Sequence, residues 1–507
     1  MKNVLALLLA TPILLLGACG DDDDTMPNGG AGSAGSSGAA GSGGSSSAGK
    51  GGSGATSQGG SAAGAGGAPI DRGDAGQPAT GGDGAPRTQF TVTLENVATA
   101  KSFTSAGVFD TPVGADAPGP LTPGKKYEFI VNAGRKQKLS FATMLAATND
   151  AFFGPSGDGI ALYDEDGEPI SGDVTDEVSL WDAGTELNEE PKVGPNTVSK
   201  QAAPDTGPAE NGNVVRLGDT DDPFDYPSVA EVMKVSVAHL DGTRFKVTIE
   251  NVSSDAALQT SEGDFPAPMS PGVWVIHGGK DPLFTAGMPD RGRGLEHIAE
   301  DGDTTMLGAF VADESGLTYP ASPGAWVVHG AGSKPLFSAG ERDYGDGVEH
   351  IAEDGNPSML GEALSTLNGR ISAALFNTPV GSAGPGPILP GSKYRFTLEA
   401  SPGDRLSFAS MLAATNDVFF APNDGGIELF DADDEPISGD VSDQIDLWDA
   451  GTEGNEEPGI GPNTVTNQSA PDTGTDGEGI VQRVSDVDDG YDYPAPADVL
   501  KVTITAK

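Results

Sequence analysis

A long internal duplication constrains the fold of this 507-residue chain more than any other feature. The first copy contains Leu139-Ser-Phe-Ala-Thr-Met-Leu-Ala-Ala-Thr-Asn-Asp150, which returns with a single change in the segment that ends at Asp417. The same offset of 267 residues holds throughout 112–237 of the first copy. Because segments repeated without net insertion form the same structural unit twice, the chain is predicted to contain two equivalent units.

A shorter block lies between the two long copies and is itself duplicated. Its first part is Ser270-Pro-Gly-Val-Trp-Val-Ile-His277, with a near copy at 322–329. Its second part is Glu296-His-Ile-Ala-Glu-Asp-Gly302, which is repeated at 349–355. Each copy ends in Met-Leu-Gly, so the block is a tandem duplication of its own.

A third repeat relates Phe90-Thr-Val-Thr-Leu-Glu-Asn-Val97 to the segment 245–252. If each of these segments is the first strand of a domain, the domain boundary lies near position 241. We therefore predict a first domain over 88–240 that lacks the short block. A second domain over 243–507 then carries both copies of it.

Composition and hydrophobic patterning predict a β-rich fold. The chain contains 75 Gly and 38 Pro, which suit turns and linkers better than helices. Short helical turns are predicted only at Gly294–Ala299 and Gly347–Ala352. The segments with the apolar or alternating pattern of strands are 90–94, 127–131, 245–249, 394–398 and 499–504. We expect an all-β chain with two antiparallel β-sandwiches.

The N-terminus has the pattern of an export signal over residues 1–19. Lys2 precedes an apolar run that is too short to span a bilayer, and the run closes with Leu16-Gly17-Ala18-Cys19. This closing motif resembles the lipobox of bacterial lipoproteins and contains the one Cys of the chain. The resemblance implies lipidation of Cys19 and membrane anchoring at the outer membrane or cell surface. A plain signal peptide with a chance Cys is the alternative.

Residues 20–87 are mostly Gly, Ser and Ala, and we expect them to form a disordered linker because these side chains build no core. The formal net charge of the whole chain is −47, which excludes a general nucleic-acid binder. A surplus of carboxylates suits a protein that collects divalent cations or must stay soluble. The single Cys also excludes an intramolecular disulfide framework.

One acidic motif occurs in both long copies. Thr-Asn-Asp150 is followed some thirty residues later by Leu-Trp-Asp182-Ala-Gly-Thr-Glu186, and the same motif ends at Glu453 in the second copy. This combination resembles the spondin domain of extracellular matrix proteins such as F-spondin and mindin. The short block looks like the N-terminal half of the same domain. The resemblance covers most of 88–507.

The spondin resemblance implies an eight-stranded antiparallel β-sandwich that binds a calcium ion at one loop end. Carried over by position, it implies the following ligands: Asp150, Asp182 and Glu186 in the first copy, and Asp417, Asp449 and Glu453 in the second. The third ligand is Glu here where the animal proteins have Asp, which adds one methylene of reach. Three carboxylates with backbone carbonyls can supply the six to eight oxygens of calcium. The alternative from spacing alone is that these acids cap turns and face solvent.

Two other functions deserve comparison with calcium-dependent adhesion. A metal-dependent hydrolase would use the repeated His297-Ile-Ala-Glu300 and His350-Ile-Ala-Glu353, together with His277 or His329, although a copied surface turn also explains the repeat. A carbohydrate-binding module would need exposed aromatic side chains at the loop end. No catalytic signature motif is visible, so we expect a non-enzymatic, calcium-binding surface protein whose partner is an extracellular protein or glycan.

Overall fold

The computed structural model describes residues 87–477 and 479–507. The predicted export signal, Cys19 with its predicted lipidation, and nearly all of the predicted linker lie outside the described residues. Within this part the chain is mostly β, as predicted, and its strands and helices are numbered in chain order. None of the described helices has the length and apolarity needed to cross a membrane.

Two antiparallel sheets form what we call the first sandwich. A four-stranded sheet contains, in spatial order, β3 (Lys126–Asn132), β11 (Arg244–Asn251), β10 (Met233–Asp241) and β7 (Gly172–Asp173). A seven-stranded sheet contains β2 (Ser105–Phe109), β14 (Met269–His277), β4 (Lys138–Leu145), β5 (Ala151–Pro155), β8 (Val178–Asp182) and β9 (Val215–Arg216), with β6 (Ile160–Ala161) paired to β4. A small hairpin is formed by β12 (Leu258–Thr260) and β13 (Gly263–Phe265).

The second sandwich repeats this arrangement. Its four-stranded sheet contains β17 (Lys393–Ala400), β1 (Thr88–Asn96), β24 (Leu500–Ala506) and β21 (Gly439–Asp440). Its seven-stranded sheet contains β16 (Arg370–Phe376), β15 (Ala321–Gly330), β18 (Asp404–Leu412), β19 (Val418–Pro422), β22 (Ile445–Asp449) and β23 (Gln482–Arg483), with β20 (Ile427–Glu428) paired to β18. In each sandwich three strands of the smaller sheet and five of the larger have five or more residues, and the other strands of these sheets have two.

Each sandwich has one core between its sheets and another under a pair of helices. The inter-sheet cores are separate sets of apolar side chains, centred on Phe141 and Tyr127 in the first sandwich and on Phe408 and Tyr394 in the second. On the outer face of each larger sheet, a second apolar cluster packs beneath two helices. The helices of the described chain are α1 (Val229–Val232), α2 (Leu295–Asp301), α3 (Thr305–Asp313), α4 (Val348–Asp354), α5 (Ser358–Thr366) and α6 (Pro496–Val499). The helical turns predicted from the short block are α2 and α4, while α3 and α5 were not predicted.

The domain boundary predicted near position 241 is wrong. Strands β10 and β11 form a hairpin around that position, with Val237 opposite Val247, so the boundary falls in a tight turn. Strand β1, predicted to begin the first domain, lies between β17 and β24 of the second sandwich. It occupies there the position that β11 occupies between β3 and β10 of the first.

The pairing of β1 follows from its side-chain pattern. Phe90, Val92 and Leu94 alternate with polar residues and are fully buried in the second core, as strand periodicity requires. At the end of the strand, the Asn96 side-chain amide donates to the carbonyl of Ile388 at 3.0 Å. Asn251 makes the equivalent bond to Leu121 at 2.8 Å. The repeated strand therefore fills the same place in both sandwiches. In the second sandwich it is β1, from the start of the described chain, and in the first it is β11, which follows the turn near position 241.

The short block is also distributed differently from the prediction. Its first copy supplies β14, α2 and α3 to the first sandwich, and its second copy supplies β15, α4 and α5 to the second. Neither sandwich lacks the block, because β14 lies in the middle of the larger sheet between β2 and β4. The prediction that the first domain lacks the short block and that the second carries both copies of it is therefore wrong, because each sandwich contains one copy.

Candidate metal centres

The predicted acidic ligands lie at one end of each larger sheet. Asp150 directly precedes β5, and Asp182 is the last residue of β8. These strands are antiparallel, and Ala151 pairs with Asp182. In the second sandwich Val418 pairs with Asp449 in the same way, which puts Asp417 beside it. Strand pairing alone thus brings two carboxylates together in each copy.

The Asp150 and Asp182 carboxylates face each other in a buried site. They are 0% and 3% exposed, and their oxygens lie within 4.8 Å of each other and of the exposed Glu210. Asp150 Oδ2 accepts from the backbone amides of Thr185 and Glu186, at 3.3 and 3.2 Å. Asp150 Oδ1 is buried without a hydrogen-bond partner.

The Asp-Ala-Gly-Thr segment folds back over these acids because of its glycine. Asp182 Oδ1 accepts from the Gly184 amide at 2.6 Å, and Gly184 has a φ of 69°. A Cβ at this position would lie 2.5 Å from the Asn213 carbonyl oxygen, so only glycine fits. Asn188 donates to Asp182 Oδ2 at 2.8 Å and fixes the other side of the carboxylate.

The second sandwich repeats this geometry around Asp417 and Asp449. The Gly451 amide donates to Asp449 Oδ1 at 2.6 Å, and the Asn455 side chain donates to Asp449 Oδ2 at 3.1 Å. Two differences separate the copies. The Thr452 hydroxyl donates to Asp417 Oδ1 at 2.8 Å, whereas the equivalent Thr185 hydroxyl has no hydrogen-bond partner in the described part of the chain. In addition, the second copy has Gly477 at the position of Glu210 in the first copy.

Burial dominates the electrostatics of both pairs. It raises the pKa of Asp150 well above its usual range, and the neighbouring Asp182 charge raises it further. Burial also raises the pKa of Asp182, although the Gly184 and Asn188 hydrogen bonds oppose this. The pKa values of Asp417 and Asp449 are raised for the same leading reason. Each pair must therefore share a proton or bind a cation to avoid two adjacent buried charges.

The third predicted ligand of each copy points elsewhere. The backbone of Glu186 contacts Asp150, but its carboxylate accepts from the Gly207 amide at 2.5 Å and lies in a separate group with Asp205 and Glu300. Glu453 likewise accepts from the Gly474 amide at 2.8 Å. The additional methylene of Glu carries its carboxylate past the Asp pair. The structure thus brings together two of the three predicted ligands in each copy.

Sequence reasoning missed Glu210 and the two asparagines that hold the pairs. Glu210 lies in a loop whose acids have no motif spacing, so no signal in the sequence marks it. Asn188 and Asn455 are both six residues after an Asp of the pair, and this repetition is the signal that could have found them.

The histidines of the short block do not converge on a metal position. His277 is buried, with Nε2 at 2.9 Å from the Ser140 hydroxyl and Nδ1 at 2.8 Å from the Gly279 carbonyl. His329 makes the equivalent contact with Ser407 at 2.9 Å. Among the described residues, the three groups of potential metal ligands contain only Asp and Glu. The arrangement suits a hard cation, not the nitrogen-rich coordination of zinc.

All four Trp residues of the chain are buried or half-buried. Trp181 and Trp448, next to the Asp pairs, donate to backbone carbonyls at 2.9 and 3.2 Å. Trp274 stacks on Phe129 with ring centroids 5.5 Å apart. None of these indoles is a fully exposed platform of the kind that a sugar-binding surface uses.

Two comparisons with known proteins were negative. A scan against models of protein families finds no match for this chain, and a search of curated proteins finds no related sequence. The spondin resemblance therefore stands on the quoted motifs alone.

Proposed function

We propose that this protein binds calcium at the Asp150–Asp182 and Asp417–Asp449 pairs. The observation that carries the proposal is the recurrence of a buried, mutually facing Asp pair at the same sheet end in both sandwiches. In the first sandwich Asp150 Oδ1 is a buried oxygen without a hydrogen-bond partner among the described residues. It can therefore bind a calcium ion without breaking a hydrogen bond within the protein. Oxygen ligands alone, within 4.8 Å of one another, suit the 2.3–2.6 Å Ca–O distance.

The two sites are expected to differ in strength. The first has a third carboxylate, from Glu210, within reach. Among the described residues, the second has Gly477 at the equivalent position and no third carboxylate grouped with its Asp pair, and Asp489 is joined to Asp449 through the side chain of Asn455. Because calcium affinity rises with the number of carboxylate ligands, we expect the first site to bind more tightly.

Calcium would fix the loops at one end of each sandwich and neutralise the acids there. Such loop ends present binding surfaces, so we propose a non-enzymatic role in adhesion or cell-surface interaction with an extracellular protein or glycan. The export signal and the lipobox-like motif at Cys19 support anchoring of the chain to a membrane, with residues 20–87 as the tether.

Calcium titration calorimetry on the full-length chain tests the proposal. The Asp182→Asn/Asp449→Asn double variant should lose the heat of binding at both pairs. The matched control is Asp219→Asn/Asp486→Asn, which removes two exposed acids at equivalent positions of the long repeat. If both double variants titrate like the parent chain, the Asp pairs are not the calcium sites.

A further inference from the structure

A second acidic group lies beside each Asp pair, between a helix and the loop that follows the Trp-Asp motif. In the first sandwich the Gln201 side chain donates to Asp301 at 2.7 Å and joins that loop to α2. In the second sandwich Gln468 donates to Asp354 at 3.1 Å and joins the loop to α4. We call this contact zone the helix–loop seam.

Four carboxylates occupy each seam at equivalent positions of the two repeats. Two come from the loop and two from the helix of the short block. They are Glu186, Asp205, Glu296 and Glu300 in the first seam, and Glu453, Asp472, Glu349 and Glu353 in the second. Three oxygens lie within 4.8 Å of one another in each seam, from Glu186, Asp205 and Glu300 in the first and from Glu349, Glu353 and Asp472 in the second.

The innermost acid of each seam is buried with unused ligand atoms. Glu300 is 1% exposed, and neither of its carboxylate oxygens has a hydrogen-bond partner. Glu353 is 2% exposed, and its Oε2 is also unpartnered. A buried carboxylate without a partner costs several kcal/mol, so a repeated one needs a physical explanation.

Among the described residues, the neighbours that shift the pKa of Glu300 and of Glu353 are other acids and a threonine hydroxyl. Burial raises the pKa of Glu300 to about 8, and Glu186, Glu296 and Asp205 raise it further while the nearby Thr185 hydroxyl opposes the shift. The pKa of Glu353 is raised to about 8 by the same leading cause. In the second sandwich the Thr452 hydroxyl lies 2.7 Å from Glu353 Oε1 and 2.8 Å from Asp417 Oδ1. One hydroxyl proton cannot satisfy both oxygens.

We propose that each helix–loop seam holds a second divalent cation, bound by oxygen ligands and separate from the ion at the Asp pair. The ion is a hard one of the calcium type, because the ligand group of each seam consists, within the described part of the chain, of carboxylates alone. It links the helix of the short block to the loop of the long repeat. The Glu-His-Ile-Ala-Glu segment of each block then supplies ligands to its seam: Glu300 in the first, and Glu349 and Glu353, one helical turn apart, in the second.

This inference does not depend on calcium at the Asp pairs, because Glu300 and Glu353 belong to neither pair. The test counts calcium bound to the full-length chain by equilibrium dialysis at 5 mM calcium. The isosteric variant is Glu300→Gln/Glu353→Gln, and the matched control is the exposed pair Glu168→Gln/Glu435→Gln at equivalent repeat positions. Circular dichroism establishes that each variant is folded before its calcium is counted.

We expect the Glu300→Gln/Glu353→Gln variant to bind two fewer calcium ions than the parent, while the control binds the same number. The Asp182→Asn/Asp449→Asn variant should keep the seam ions. An unchanged count in folded Glu300→Gln/Glu353→Gln overturns the seam sites, whatever happens at the Asp pairs. A loss in the Gln variant combined with no loss in the Asn variant would uphold the seam and refute calcium at the Asp pairs instead.

Discussion

Removing one charge from each Asp pair should stabilise the metal-free chain and abolish the stabilisation that calcium gives the parent at that pair. The Asp150 and Asp182 oxygens lie within 4.8 Å of each other, and at that upper limit and an effective dielectric constant of about 20, two unit charges repel by about 3.5 kcal/mol. Part of this repulsion is already relieved by proton sharing, because burial raises the pKa of both acids. We therefore expect Asp182→Asn to stabilise the metal-free chain by about 1–3 kcal/mol at pH 7.5.

Calcium should offset this difference. With a dissociation constant of about 10⁻⁴–10⁻³ M, 10 mM calcium stabilises a site of the parent chain by about 1.4–2.7 kcal/mol. The Asp182→Asn/Asp449→Asn variant should gain nothing from ions at the Asp pairs, so its melting temperature should rise less than that of the parent. The variant should melt higher than the parent in EDTA and lose that lead in calcium.

Thermal melting by circular dichroism, in EDTA and in 10 mM calcium, measures both effects on the same protein. The Asp219→Asn/Asp486→Asn control should follow the parent in both conditions, because those side chains are exposed. Melting below the parent in EDTA, together with an undiminished calcium shift, would refute the charge-repulsion argument.

Three further predictions follow from buried groups outside the Asp pairs. Burial lowers the pKa of His277 and of His329 to about 4, so these two residues contribute stability that is present above about pH 6.5 and is lost as pH drops to 4; the difference in unfolding free energy between the parent and a variant with Gln at both positions should therefore change with pH in this window, as denaturant titrations at several pH values would measure. Phe90→Ala should cost about 3–5 kcal/mol and raise amide hydrogen exchange in β17 and β24, whereas faster exchange confined to β3 and β10 would contradict the observed strand order. Gly184→Ala should weaken calcium binding in calorimetry, because its Cβ meets the Asn213 carbonyl at 2.5 Å, and parental affinity in this variant would show that the turn is not needed.

Much of the β architecture could be predicted from sequence. The alternation of Phe90, Val92 and Leu94 identifies a half-buried strand without any tertiary information. The partner of that strand could not be predicted, because 90–97 and 245–252 are nearly the same sequence and fit the same place in either sandwich. Only the complete set of pairings shows that β11 continues the hairpin from β10 while β1 joins β24.

The candidate sites were predictable to the same extent. The spondin resemblance implied Asp150 and Asp182 as ligands of one ion, and the pairing of β5 with β8 places these two residues side by side. The direction of the Glu186 side chain was not predictable, because it depends on the Gly207 amide and on a helix more than a hundred residues away. The repeated His-Ile-Ala-Glu segment suggests metal ligands for a hydrolase from both its His and its Glu. In the structure only its glutamate, Glu300 or Glu353, belongs to a group of potential metal ligands among the described residues.

A crystal structure of the chain grown in 10 mM calcium, with anomalous difference maps, tests the central claim most directly. Calcium bound at the Asp pairs predicts one peak between Asp150 and Asp182 and another between Asp417 and Asp449, each about 2.3–2.6 Å from carboxylate oxygens. Two carboxylates in direct hydrogen-bond contact, with no anomalous peak between them at this calcium concentration, would contradict it.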